Sequence, residues 1–137
     1  MPHHALKAYG QSALEAEVSA ASPHRLIAML YEGALRAIAL AKMYLLNKEI
    51  GNKCEAISRA IAIVENGLHA SLNFEKGGEL SRNLALLYEY VARRLVMANA
   101  FNDPAILDEV ANILGELSSA WEQIAPVQGE SEEEPSR

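Results

Sequence analysis

Apolar positions recur in steps of three and four along most of the chain, which is the spacing of helix faces rather than of strands. Residues 53–74 carry two such stripes. One is bulky: Ile57, Ile61, Val64, Leu68 and Leu72. The other is mostly small: Ala56, Ala60, Ile63, Gly67 and Ala70, ending at Phe74. At 3.6 residues per turn their centres lie about 120° apart. An ordinary surface helix needs one apolar stripe to face its own core. The second either packs on another helix of the same bundle or receives a helix from another protein.

Turn and cap residues divide the rest. Ser22-Pro23 sets a capping hydroxyl before a proline at the first helical position, and the pattern then runs to about Asn47. NKEIGN stops that helix, with Gly51 as the break. The second helix covers about 53–74 and ends at Gly77-Gly78, residues that accept left-handed backbone angles. A third covers about 79–101, with Leu80, Leu84, Leu87, Val91, Leu95 and Ala98 on one face. Asp103-Pro104 starts a fourth, which runs to about Ile124 on Ile106, Val110, Ile113, Leu117 and Ile124, widened by Leu114 and Trp121. Short connections make consecutive helices antiparallel. The expected fold is all-α: an up-down four-helix bundle forming one domain over residues 1–126.

The two ends differ. Residues 1–21 read as a mobile segment with a short helix at about 11–20, whose Leu14 and Val18 suit a lid on the bundle. Residues 127–137 are acidic and lack apolar anchors, so a disordered tail is expected. The first long helix is apolar over most of its circumference, with Leu26, Ile27, Met29, Leu30, Tyr31, Leu35, Ile38 and Leu40. The bundle covers part of it. The lid or a foreign helix is needed for the remainder.

Composition narrows the function. Half of the 137 residues are hydrophobic but only 6% aromatic, which suits a helical domain. A net charge of −6 argues against a general nucleic-acid or acidic-membrane binder. The single cysteine, Cys54, leaves no internal disulfide framework and fits a reducing compartment. The start MPHHALKAYG has no apolar run, and no stretch approaches the ~18 apolar residues of a membrane span. A soluble cytoplasmic protein is expected.

Catalytic constellations are weak. A di-iron bundle needs Glu-x-x-His twice, whereas Glu65 and His69 stand four apart, once, on the polar face of the second helix. Histidine phosphotransfer at an exposed His69 is the enzyme-like alternative, but Leu72 and Asn73 stand where such domains carry lysine and glycine. His3 and His4 read as part of the flexible start, and His24 has too few partners to be a ligand. No phosphate loop or nucleophile elbow occurs. The expectation is no enzyme, no cofactor and no metal. Arg82, Arg93 and Arg94 form a small basic patch on the third helix, either a solvated face or a hold for an acidic segment. Tyr88 and Tyr90 point to different sides of that helix: one can brace the core, the other can meet a partner.

Two long motifs carry a resemblance. The pattern ASP-x-x-L-x-x-MLYEGA at residues 21–34 and EKGGE-x-x-x-NL-x-x-LYEY at residues 75–90, with NDPAILDEV and Trp121, resemble the flagellar secretion chaperone FliS family. The likeness extends from about Leu6 to Pro126. It implies a small cytoplasmic helical bundle that binds the C-terminal segment of flagellin. Such a protein prevents early polymerisation and delivers the client to the cytoplasmic domain of the flagellar type III export gate. Taken with the stripes, it suggests a groove of Ile27, Tyr31, Ala56, Ala60, Ile63, Gly67 and Tyr90. Leu6 and Tyr9 match the apolar and tyrosine positions that take part in gate docking. A monomer is expected in the free state, without membrane insertion. A homo-oligomeric bundle, with the second stripe on a copy of itself, is the other reading.

Overall fold

The computed structural model describes residues 20–133, with side chains to Ile124. Four long helices form an antiparallel bundle, and no strand occurs among the described residues. Helix α1 is Pro23–Leu46. Helix α2 is Ile50–Ala62, continued by a π-helical turn Ile63–Leu68 and a 3-10 turn His69–Ser71. Helix α3 is Phe74–Phe101 and α4 is Pro104–Glu133. Each consecutive pair packs side by side and α1 also packs on α4, so α1 and α3 lie on a diagonal.

The starts are chemically set. Ser22 Oγ accepts from the Arg25 amide at 3.1 Å, and Pro23 fills the first helical position. Asp103 Oδ1 accepts from the Ala105 amide at 3.0 Å before Pro104. Three boundaries depart from the sequence pattern. Gly51 does not break the chain but lies inside α2; the turn falls at Asn47–Glu49, where Lys48 takes a left-handed φ of 63°. The helix expected from residue 79 begins at Phe74, because Asn73 caps it by accepting from the Lys76 amide at 2.9 Å. Its first turn is then set off by a kink at Gly78, with φ 54° and ψ −125°, which a side chain would strain. Ser81 Oγ closes the kink by donating to the Asn73 carbonyl at 2.9 Å, and a Cβ at Gly77 would lie 1.8 Å from Ser81 Oγ. Finally, α4 runs on through Pro126 to Glu133 rather than ending near Ile124. Proline removes one donor there, but the glutamine and glutamates beyond it are good helix formers, and extending a helix is far easier than nucleating one.

Both stripes of α2 turn inward. Ile57, Val64 and Leu68 join the core with Val91, Leu95, Leu107, Val110 and Leu114. Ala56 and Ala60 are also buried. The Gly67 backbone meets Leu30 of α1 so closely that a Cβ would lie 2.7 Å from Leu30 Cδ2. The small stripe therefore takes a neighbour from its own chain along most of its length. The residues α1 buries in return are largely small: Ala28, Ala34, Ala37 and Ala41, with Tyr31 and Ile38.

Polar ties fix the bundle from inside. Tyr31 and Tyr88 meet across the diagonal, hydroxyl to hydroxyl at 2.5 Å, both buried. Burial pushes both phenols up, Tyr88 most strongly, and the bond to Tyr31 adds to that rise at Tyr88. Lys53 is 1% exposed, and its Nζ donates to the Asn99 carbonyl at 3.0 Å and to Asn99 Oδ1 at 2.7 Å. Among the described residues no buried side-chain nitrogen or oxygen lacks a partner.

The tyrosine pair yields a double-mutant test. Tyr31→Phe leaves the Tyr88 hydroxyl buried without a partner and should cost about 1–3 kcal/mol. Adding Tyr88→Phe removes the orphan and should recover part of that loss in urea unfolding. Simple additivity of the two costs would show that the hydroxyls do not depend on one another. Because both phenols are raised, their contribution is complete below the usual tyrosine range and is lost as pH climbs through it. Tyrosinate absorbance of these two should therefore appear only together with unfolding.

Candidate functional site

The inward turn of the small residues leaves several bulky side chains in the first turns of α1 only partly covered. Leu26, Ile27, Met29 and Leu30 are only partly buried, and they line an open cavity of about 920 Å³ with Gly33 and, from the end of the α2 segment, Ser71. Its floor is apolar. Its rim carries Arg25, Glu32 and Arg36, with Arg25 Nη1 donating to Glu32 Oε2 at 3.1 Å. Two turns separate that pair, so the bridge lies along α1 on the cavity side. Gly33 keeps the floor low, since a Cβ there would touch Ile63 Cδ1 at 3.4 Å.

The irregular end of α2 shapes the same place. A π-helical turn admits one extra residue into the ladder, which rotates the succeeding turn relative to a straight α-helix. That turn holds Gly67 against Leu30 and leads to Ser71 at the cavity wall. Ser71 Oγ folds back on the Gly67 carbonyl at 2.6 Å and satisfies one of the acceptors the helix end releases.

The seven residues expected to form a groove are only partly brought together. Ile27 lines the cavity. Ile63 and Gly67 are half-buried beneath it, in contact with α1. Ala56 and Ala60 are buried where α1 packs on α2, and Tyr31, on α1, is buried with its hydroxyl against Tyr88. Tyr90 points elsewhere: its hydroxyl donates to Glu109 Oε2 on α4, where Arg94 Nε also donates to Glu109 Oε1 at 2.8 Å. The Tyr90 bond and then the Arg94 bond hold the Glu109 carboxyl below its ordinary range. That bond to Glu109, with burial second, pushes the Tyr90 phenol up. Leu6, Tyr9, Leu14 and Val18 lie outside the described residues.

The histidines resolve differently from a free imidazole surface. His69 is half-buried, not exposed, and its Nε2 pairs with Glu89 Oε2 at 3.0 Å. A carboxylate at that distance occupies the approach a phosphoryl group needs and repels its charge. His24 stacks on Trp121 at 4.5 Å between centroids and 11° between planes. Its Nε2–H donates to the Trp121 carbonyl at 2.9 Å, and Trp121 Nε1–H returns a bond to the His24 carbonyl at 2.9 Å. This two-way clasp ties the first turn of α1 to α4 near the cavity's Pro23 end. Periodicity does not reveal it, since the partners stand 97 residues apart. Among the described residues no group of three or more His, Cys, Asp and Glu is placed to hold a metal. No helix among them is long and apolar enough to cross a membrane.

Fold and cavity together define an antiparallel four-helix bundle with an open apolar groove along its first helix. The sequence matches the family model "Flagellar protein FliS" over residues 5–128. It is 46% identical over 121 residues to the flagellar secretion chaperone FliS of Salmonella typhimurium, covering 88% of this chain and 90% of that one. It is also 46% identical over 121 residues to flagellar secretion chaperone FliSB of Pseudomonas aeruginosa, covering 88% and 95%. Against FliS of Bacillus subtilis the identity is 37% over 106 residues, covering 77% of each chain. The chain belongs to the FliS family of flagellar secretion chaperones.

Because its folded pKa is depressed, Glu109 contributes stability above its unfolded range that is lost as pH falls through the folded value. Glu109→Gln should therefore flatten the acid limb of a Tm-against-pH curve while leaving the neutral-to-alkaline limb parallel to wild type. An unchanged acid limb would show that the Tyr90–Glu109–Arg94 tie adds nothing to stability.

Proposed function

We propose that this protein is a cytoplasmic export chaperone that binds the C-terminal segment of flagellin, holds it back from polymerisation and delivers it to the export gate. The observation that carries this reading is the open apolar cavity on α1, walled by Leu26, Ile27, Met29 and Leu30. The curated relatives are named flagellar secretion chaperones. Flagellin's terminal segments are helical in the filament, where neighbours bury their apolar faces. Off the filament they are amphipathic chains that need such a cover. A helix laid along α1 would set its apolar stripe on this floor, in the manner of helix-in-groove recognition.

The energetics suit holding followed by release. Fully burying a large aliphatic side chain contributes about 1.5–3 kcal/mol, and a half-buried one proportionally less. Ordering the client costs about 2–5 kcal/mol, so the complex is held by mass action and needs no nucleotide to let go. Ile27, Ile63 and Gly67 remain in the proposed groove, with Ile63 and Gly67 supporting its floor. Leu6 and Tyr9 are proposed to dock the loaded chaperone on the cytoplasmic domain of the gate.

The test is calorimetric titration with a flagellin C-terminal peptide. Wild type should bind one peptide per chain. Met29→Glu should weaken binding at least about tenfold with Tm little changed, because Met29 lines the cavity and, unlike Ile27 and Leu30, is not packed against the core. Equal binding by this variant would place the client elsewhere. Leu6→Ala with Tyr9→Ala should leave peptide affinity intact and reduce docking of the loaded complex on the gate domain.

A further inference from the structure

Gly67, Gly77 and Gly78 are each required by the chain's own packing or backbone. A Cβ at Gly67 would lie 2.7 Å from Leu30 Cδ2, one at Gly77 would lie 1.8 Å from Ser81 Oγ, and Gly78 has a φ of 54°. Gly33 is different. It lies in the interior of α1, and its φ is outside the left-handed region, so any L-residue can adopt its backbone. A Cβ there would meet one atom, Ile63 Cδ1 at 3.4 Å, the far end of a half-buried side chain. The bundle therefore has room for alanine at this position. Glycine is disfavoured against alanine inside a helix. The fold thus carries a cost at Gly33 that its own packing does not call for.

What surrounds Gly33 is the groove. Of the residues lining the cavity, it alone presents no side chain. Leu26, Met29, Leu30 and Gly33 stand at i, i+3, i+4 and i+7, the four corners of the hole into which a facing helix sets one knob. All four are half-buried, so the hole is part covered by the bundle and part open. Resting on the assignment of this groove to flagellin, we infer that Gly33 is a specificity-determining residue. It bares the α1 backbone so that the client helix seats one leucine-sized aliphatic side chain between Leu26, Met29 and Leu30. A client with alanine at that register leaves the hole unfilled and forgoes the dispersion contacts of its walls. A charged side chain is rejected, because three hydrocarbon walls give it no partner. The next hole along, Met29, Glu32, Gly33 and Arg36, shares the bare corner but has two charged walls, so the bulky knob belongs in the first.

The test is calorimetric titration of Gly33 variants with the flagellin C-terminal peptide, beside thermal unfolding of each free variant. Gly33→Ala should unfold at the wild-type Tm or above it and bind the peptide more weakly. Gly33→Leu, which fills the hole, should weaken binding at least about tenfold, the scale of overpacking a filled site. The peptide's apolar residues are then cut to alanine one at a time. One cut should weaken binding to wild type strongly yet restore affinity for Gly33→Leu, since the variant's own leucine now occupies the hole. A Tm loss in Gly33→Ala would show that the glycine serves the bundle's own packing and would overturn the inference. Absence of any restoring cut would overturn it as well. So would full affinity in both Gly33 variants while Met29→Glu loses the peptide, which leaves flagellin in the groove without a knob at Gly33. Binding indifferent to Gly33→Leu and Met29→Glu alike would remove the flagellin reading of the groove and this inference together.

Discussion

The structure depends on how closely α1 and α2 approach. That approach is set by side chains that are nearly absent: Ala34, Ala37 and Ala41 on α1, Ala56 and Ala60 on α2, and Gly67, where Leu30 already stands at the limit of contact. Small residues forgo the burial that leucines would supply. In exchange, the two helices share one close seam, and the large side chains of the first turns of α1 stay only partly covered, Ile27 and Leu30 packing on the core at one edge while they line the cavity at the other. Most amphipathic helices bury their large residues and expose polar ones. Here α1 buries mainly alanine and shows Leu26, Ile27, Met29 and Leu30 to the cavity. The groove is thus a consequence of how the core is packed rather than a feature added to its surface.

Such a core has less dispersion and area to draw on, so its polar ties matter more. Three of them join helices that are far apart in sequence: Tyr31 to Tyr88, Lys53 to Asn99 and His24 to Trp121. The first crosses the diagonal of the bundle, the second joins the start of α2 to the end of α3, and the third joins the start of α1 to α4. A buried lysine held by a neutral amide and a carbonyl is an unusual choice, because no carboxylate among the described residues pairs with it. Its three donors find two oxygens of a single residue, which fixes the α2–α3 register at that end.

Stripe periodicity makes the bundle, its four helices and both proline-led caps legible, because each is written in a few consecutive residues. It does not contain which neighbour covers which stripe. The small stripe of α2 suits a client helix and α1 equally well, and only the placement of Leu30 over Gly67 decides between them. Tyr90 drops out of the groove for a related reason: its helical phase is correct for an outward face, but Glu109 stands there to receive it. The kink at Gly78 is half visible, since the glycine pair marks a break while nothing in the periodicity singles out Asn73 as the cap that starts the helix earlier. The π-helical turn leaves no periodic trace, because one inserted residue shifts the phase by less than the width of a stripe.

The square arrangement of the helices has a consequence for how a chaperone of this family can act. The helix that carries the proposed groove, α1, packs on both α2 and α4. The fourth, α3, lies across the diagonal and is tied to α1 by the buried tyrosine pair. That pair is a short contact between two rigid phenols, and it gives little room for α1 to shift without breaking a bond whose loss strands both hydroxyls. On the proposed reading, an occupant of the groove therefore meets an α1 already tied to each of the other three helices.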